Sequence, residues 1–231
     1  MGVGFFLNRS DILPSSSNKY FVDLLMFVTT PCMILSSVTA NEFNDDMKSA
    51  TVEVLLCGIG FFVVLFLVGY ILLKKIMRVK PSEDLGVYIL SFSTVNNGFM
   101  GFPITNAVFG GNILYLMVIH NICLTVYMYS AGPFILNMNA GSSKFSFKKL
   151  IKMFAVPVII FFIMDMLPVE NTVKTAIIFA SAFPTAVVTS AIAMMEKKNS
   201  LLSAEIIALT TLISLACIPV CAVFLHSYYG L

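Results

Sequence analysis

Charged residues are scarce. They make up 11% of the 231 residues, where a water-soluble domain carries about 25%. A chain with so few charges cannot coat a soluble globule, and intrinsic disorder requires the opposite composition. Tryptophan is absent and histidine occurs twice, so the aromatic content rests on 21 Phe and 8 Tyr. The five cysteines, Cys32, Cys57, Cys123, Cys217 and Cys221, all lie in apolar runs without a CxxC pair or a neighbouring histidine. That pattern excludes a disulfide framework and a zinc site, and neither metal nor cofactor is expected. No HExxH, no GxSxG and no paired mid-span carboxylates occur, so an intramembrane enzyme is set aside. The net charge of +2 comes with no basic stripe, which argues against nucleic acid.

Apolar residues fill the space that charge leaves, at 58% and a mean hydropathy of +0.94. The polar gaps are short, and about 20 apolar residues suffice to cross a bilayer as a helix. Seven stretches qualify, over roughly 20–40, 51–73, 86–109, 112–136, 150–168, 172–195 and 201–225. Met1 to Leu7 reads as the stub of a further helix, truncated at its N-terminal side. The first apolar run is too short for a signal peptide, and Arg9 follows it rather than precedes it. Continuous runs of this length predict helices rather than barrel strands. The expected fold is an all-α polytopic membrane protein.

Basic residues orient the spans. Arg9, Lys19, Lys74, Lys75, Arg78, Lys80, Lys144, Lys148, Lys149, Lys152, Lys197 and Lys198 occupy alternate loops, and only Lys48 and Lys174 lie elsewhere. The basic loops are expected to face the cytoplasm and the C-terminus the outside, in the cytoplasmic membrane of a bacterium.

Two spans carry breakers at mid-depth. The first reads Asn96-Asn97-Gly98-Phe99-Met100-Gly101-Phe102-Pro103, and the second contains Phe183-Pro184-Thr185 followed by Thr189 and Ser190. Proline removes a backbone donor and glycine permits non-helical backbone. Adjacent asparagines at mid-membrane require partners, either freed carbonyls or a ligand. By the charge alternation the two spans run in opposite directions. Paired broken helices of inverted orientation signal a secondary transporter whose substrate binds where half-helices meet. The helix N-termini there favour an anion. A kink used only for packing is the competing reading. Asp165, Asp23, Glu53 and Glu205 sit near span ends, within reach of water. His120 is deeper, and a packing role outweighs a titrating one for it. Ser181, Ala182, Ala186, Ser190, Thr210, Thr211 and Ser214 suit either a pathway lining or close helix packing.

At these residues the sequence resembles the auxin efflux carrier family of membrane transporters, which includes bacterial members and the plant PIN proteins. Asn96 to Ile104 is similar to the family's fourth-helix crossover, and Phe183 to Val187 to its ninth-helix crossover. Thr29-Thr30-Pro31 resembles the second helix, Asn121 an asparagine of the fifth, and Thr210 to Pro219 the last. The resemblance implies an inverted-repeat transporter fold, here incomplete. It has about seven full helices, a truncated first one, and two helices missing after residue 136. On that plan residues 1–40 are partial scaffold. Residues 51–136 are the first-repeat core with its crossover at 96–103, and 148–225 the second-repeat core with its crossover near 184. Val188 stands where bacterial relatives often carry asparagine, and Glu196 to Asn199 replaces a Tyr-Gly turn.

The implied function is a permease moving small organic anions of the carboxylate class by alternating access, with proton or sodium coupling and a homodimer as possible partners. Asn96, Asn97, Gly98, Gly101, Pro103, Asn121, Pro184, Thr185 and Thr189 are the implied substrate-binding residues. A non-transporting membrane sensor, or a shortened carrier that needs a partner, is the alternative.

Overall fold

The computed structural model describes residues 17–24, 45–76, 84–138 and 155–230, with scattered positions before residue 40. The N-terminal stub, Thr29-Thr30-Pro31, most of the 20–40 span and most of the basic segment at 137–152 lie outside the described residues. The secondary structure is all helical, with no strand among the described residues.

The helices are α1 (Ser17–Leu24), α2 (Asp45–Ile71, continued as a π turn over Leu72–Ile76), α3 (Leu85–Phe92), α4 (Phe102–Phe109), α5 (Gly111–Leu136), α6 (Ala155–Asp165), α7 (Asn171–Ser181), α8 (Val188–Met195) and α9 (Ser200–Tyr229). Among the described residues, three helices are long and apolar enough to cross a membrane: Met47–Lys74, Gly111–Leu136 and Ser200–Tyr229. The 86–109 and 172–195 spans are each two short helices around a break.

Helix α5 is the centre. In its most apolar stretch 61% of residues are buried, against 33% for α2 and for α9, and it packs against α2, α3, α4, α7 and α8. The outer helices turn apolar rows outward. Val52, Leu56, Ile59, Val63 and Leu67 are exposed on α2, as are Leu212, Leu215, Val220 and Val223 on α9. Such rows at helical spacing suit contact with lipid tails, which are as apolar as leucine.

Local sequence accounts for the helix ends. Asn199 caps α9, its side chain accepting from Leu202 N at 3.0 Å. Gly230 closes the same helix in the left-handed region at φ 70°. Gly110 alone joins α4 to α5, at φ 79°, a value that side chains with a Cβ rarely adopt. Close approach needs another glycine: a Cβ at Gly86 would lie 2.3 Å from the Ile135 carbonyl oxygen, so α3 begins directly against the backbone end of α5. Pro133 and Pro219 lie inside continuous helices, so proline by itself does not mark a break here.

Asp165, at the end of α6, is exposed. Tyr228 and Tyr229 hydroxyls donate to its carboxylate at 3.4 and 3.5 Å. Nearby Glu170 N donates to Glu53 of α2 at 3.1 Å. At the opposite helix ends, Asn137 after α5 donates to Glu196 after α8 at 3.1 Å.

Candidate functional site

The two breaks meet. Helix α3 stops at Phe92 because Ser93 and Thr94 turn their hydroxyls back onto it. Ser93 Oγ donates to the Ile89 carbonyl at 2.9 Å and Thr94 Oγ1 to the Leu90 carbonyl at 3.0 Å. This back-bonding competes with helix propagation. The chain then runs without helical bonds through Thr94–Asn96, makes a π turn over Asn97–Gly101 and resumes as α4. In the second break α7 ends at Ser181, and α8 begins at Val188 after the non-helical Pro184–Ala186.

Main-chain atoms join the two segments: Asn96 N donates to the Pro184 carbonyl at 2.7 Å. Thr185 Oγ1 donates to the Ser91 carbonyl at 2.8 Å, supplying a partner at the open end of α3. The Thr94 and Thr189 hydroxyls share a hydrogen bond of 2.9 Å. Each break also has a brace from the long helix that follows it. Tyr127 of α5 bonds Ser93 Oγ at 2.7 Å, and Thr210 Oγ1 of α9 accepts from Thr185 N at 3.2 Å. The amides of Asn96 and Thr185 and the carbonyls of Pro184 and Ser91 thus find protein partners, as hydrocarbon requires.

A cleft of about 60 Å³ opens beside the crossing, with Thr94, Ser181, Thr185, Thr210 and Ser214 in a lining that is otherwise apolar and includes Phe92 and Phe183. It has room for a few waters. An open apolar groove of about 660 Å³ lies next to it between α6, α7 and α9, and Pro157 and Cys217 line both.

Asn96, Pro184, Thr185 and Thr189 come together at the crossing. Gly101 lies beside it, 3.4 Å from the Phe183 ring measured from a built Cβ. That position accepts a Cβ at ordinary contact and its φ of −61° is helical, so neither space nor backbone demands glycine there. Gly98 lies within the π turn, half-buried. Pro103 is exposed in the first turn of α4, where the missing N–H needs no partner. The break therefore falls seven to ten residues before this proline, at Ser93–Asn96. Asn121 is buried on α5, and its carbonyl accepts from Thr125 at 2.9 Å.

Asn97 turns away from the crossing toward α5, where its Nδ2 donates to His120 Nδ1 at 2.8 Å. Both residues are fully buried. The imidazole lies between Phe61 (4.9 Å between centroids, edge-on) and Phe62 (5.2 Å, stacked). Thr94, Thr210 and Ser214 were not singled out as binding residues by sequence. The recurrence of hydroxyls in the last spans was the available signal for the latter two.

Among the described residues no cluster of three or more His, Cys, Asp or Glu is arranged to hold a metal ion. A family model described as a membrane transport protein matches residues 1–148, a span that includes the first break and ends before the second. Comparison with curated proteins and with solved structures returns no match.

Proposed function

The chain belongs to the membrane transport protein family, and on that premise we propose that it is a secondary carrier of small organic anions. The observation that carries this reading is the 2.7 Å main-chain contact between two interrupted helices, beside a cleft that Thr94, Thr185 and Thr210 help to line. Half-helices that begin at such a crossing direct N–H groups and partial positive charge toward it, which suits a carboxylate. Asn96, Thr94, Thr185, Thr189 and Thr210 then supply the neutral donors and acceptors that select it. The cleft as it stands excludes an organic anion, so the substrate enters only when the two breaks separate. That separation is the alternating-access step.

On this reading the two halves, 51–136 and 148–225, are inverted repeats, each contributing one break and one bracing helix. The pairing of Asn137 with Glu196 at one end and Glu53 with Glu170 at the other agrees with the alternation of basic loops, from which we infer that the C-terminus faces outside.

The test is uptake by the purified chain in liposomes, using labelled dicarboxylates and indole acids under imposed proton or sodium gradients. The expected result is saturable uptake that is lost in the folded Asn96→Ala, Asn97→Ala variant. No uptake of any anion by well-folded wild type overturns the carrier reading and favours a sensor, or a carrier that needs a partner chain.

A further inference from the structure

The Asn97–His120 pair is only half satisfied. Asn97 Nδ2 carries hydrogens, so His120 Nδ1 accepts and the ring proton sits on Nε2. Asn97 Oδ1 and His120 Nε2 are both buried with no hydrogen-bond partner among the described residues. A buried amide oxygen and a buried ring nitrogen left bare are each destabilising. A second arrangement gives the amide oxygen a partner and turns the amide donor outward in its stead.

A proton supplies that arrangement. Nδ1 holds the only ring lone pair in the plane. Once it takes a proton from hydronium, releasing water, it faces the Asn97 NH2 group donor to donor. A half-turn of the amide then brings Oδ1 to accept from Nδ1–H and moves Nδ2 into the place that Oδ1 held. No other bond forms or breaks, and loss of the proton reverses the sequence. Protonation thus exchanges an acceptor for a donor one residue from Asn96, whose backbone joins the crossing, and adds a positive charge on α5.

We propose that His120 is the proton-coupling site of the carrier, with the Asn97 amide as the element that relays its protonation to the crossing. The donor and the charge both favour a carboxylate, so proton and anion bind together and move in the same direction. This role rests on the carrier reading above, whereas titration of the pair does not.

Nothing else close to the ring competes for that proton. On α2 the neighbours are Gly58, Phe61 and Phe62. Helices α3, α4 and α8 carry no charged residue. Lys174 of α7 donates to the Asp165 carbonyl, and Glu53 of α2 accepts from Glu170 N, both near helix ends. The remaining titratable groups on the packed elements are Asp45, Asp46 and Lys48 in the first turn of α2, Lys74 and Lys75 in the π turn at its other end, and the thiols and phenols Cys57, Tyr70, Tyr88, Tyr115, Cys123, Tyr127 and Tyr129.

The chain has two histidines, and His226 is exposed in the last turn of α9. In the His226→Gln protein, reconstituted in nanodiscs, every imidazole nitrogen signal therefore belongs to His120. Lowering the pH from ~9 to ~4 spans the ordinary histidine range. It is expected to convert the Nε2–H tautomer to the imidazolium and to shift the Asn97 side-chain amide at the same midpoint. A ring that stays neutral throughout overturns the proposal.

In liposomes an inward proton gradient is expected to stimulate wild-type anion uptake at least ~fivefold. His120→Gln is expected to lose that stimulation while retaining gradient-free exchange of the same anion. Undiminished stimulation in His120→Gln overturns the proposal. If wild type moves none of the anions, the carrier reading falls, and the nanodisc titration alone decides whether His120 takes up a proton.

Discussion

Thr185→Val provides a sharp probe of the crossing. Valine keeps the shape and removes the hydroxyl that donates to the Ser91 carbonyl at 2.8 Å. Thr185 is 2% exposed, so water does not replace the lost partner. A neutral hydrogen bond contributes a net ~0.5–1.5 kcal/mol, and a buried carbonyl left bare raises the loss to ~1–3 kcal/mol. Side-chain bonds within membrane proteins run weaker, averaging ~0.6 kcal/mol, because the unfolded helices also find partners. Ser91 lies at the end of α3, where intrahelical donors run out, so the larger figure applies in part. The expected loss is about 1–2 kcal/mol, a five- to thirtyfold change in the ratio of folded to unfolded protein.

Thr185→Ser provides the control. It keeps the hydroxyl and removes one methyl, a change of up to ~0.8 kcal/mol in water-based transfer and less where the alternative solvent is lipid. Equilibrium unfolding in mixed micelles, followed by circular dichroism, measures both. The ordering wild type, serine, valine is expected. If valine falls within the ~0.5 kcal/mol scatter of inconsequential substitutions, or serine is the worse of the two, the hydroxyl bond does not hold the crossing and methyl packing does.

Four further outcomes follow from close contacts and exposed ones. Gly86→Ala places a Cβ 2.3 Å from the Ile135 oxygen and 2.8 Å from Leu136 Cα, both backbone atoms. A loss of ~1–3 kcal/mol or more is expected as a lowered unfolding midpoint, whereas Gly101→Ala should stay within ~1 kcal/mol of wild type. Gly58→Ala meets Cys123 Sγ at 3.0 Å and His120 Cδ2 at 3.2 Å. These are side chains that can shift, so a displaced imidazole signal with little loss of stability is expected in the nanodisc spectrum. Glu196→Gln alters an exposed contact with Asn137 and should move the midpoint by no more than ~0.5 kcal/mol.

Hydropathy revealed the long helices because α2, α5 and α9 are unbroken and strongly apolar. The breaks were legible as places where helix is disfavoured, since Asn, Gly and Pro carry that information locally. Their edges were less so. Pro103 invited a break at its own position, yet a proline is well placed in a first helical turn, and Ser93 and Thr94 ended α3 earlier by back-bonding. Contacts between the halves were not legible at all. Thr94 and Thr189 are 95 residues apart, and neither hydroxyl's chemistry names the other. From sequence His120 suits packing and Asn97 suits binding, and only the packing of the π turn on α5 puts them 2.8 Å apart.

The bond between Asn96 N and the Pro184 carbonyl is blind to side-chain identity. Any residue except proline supplies the amide at 96, and every residue supplies the carbonyl at 184. The residues around the joint can therefore drift to fit a different cargo while the joint itself survives. What such drift must preserve is a stretch of chain that refuses to be helical in each half. A lineage built this way would diversify its chemistry faster than its architecture.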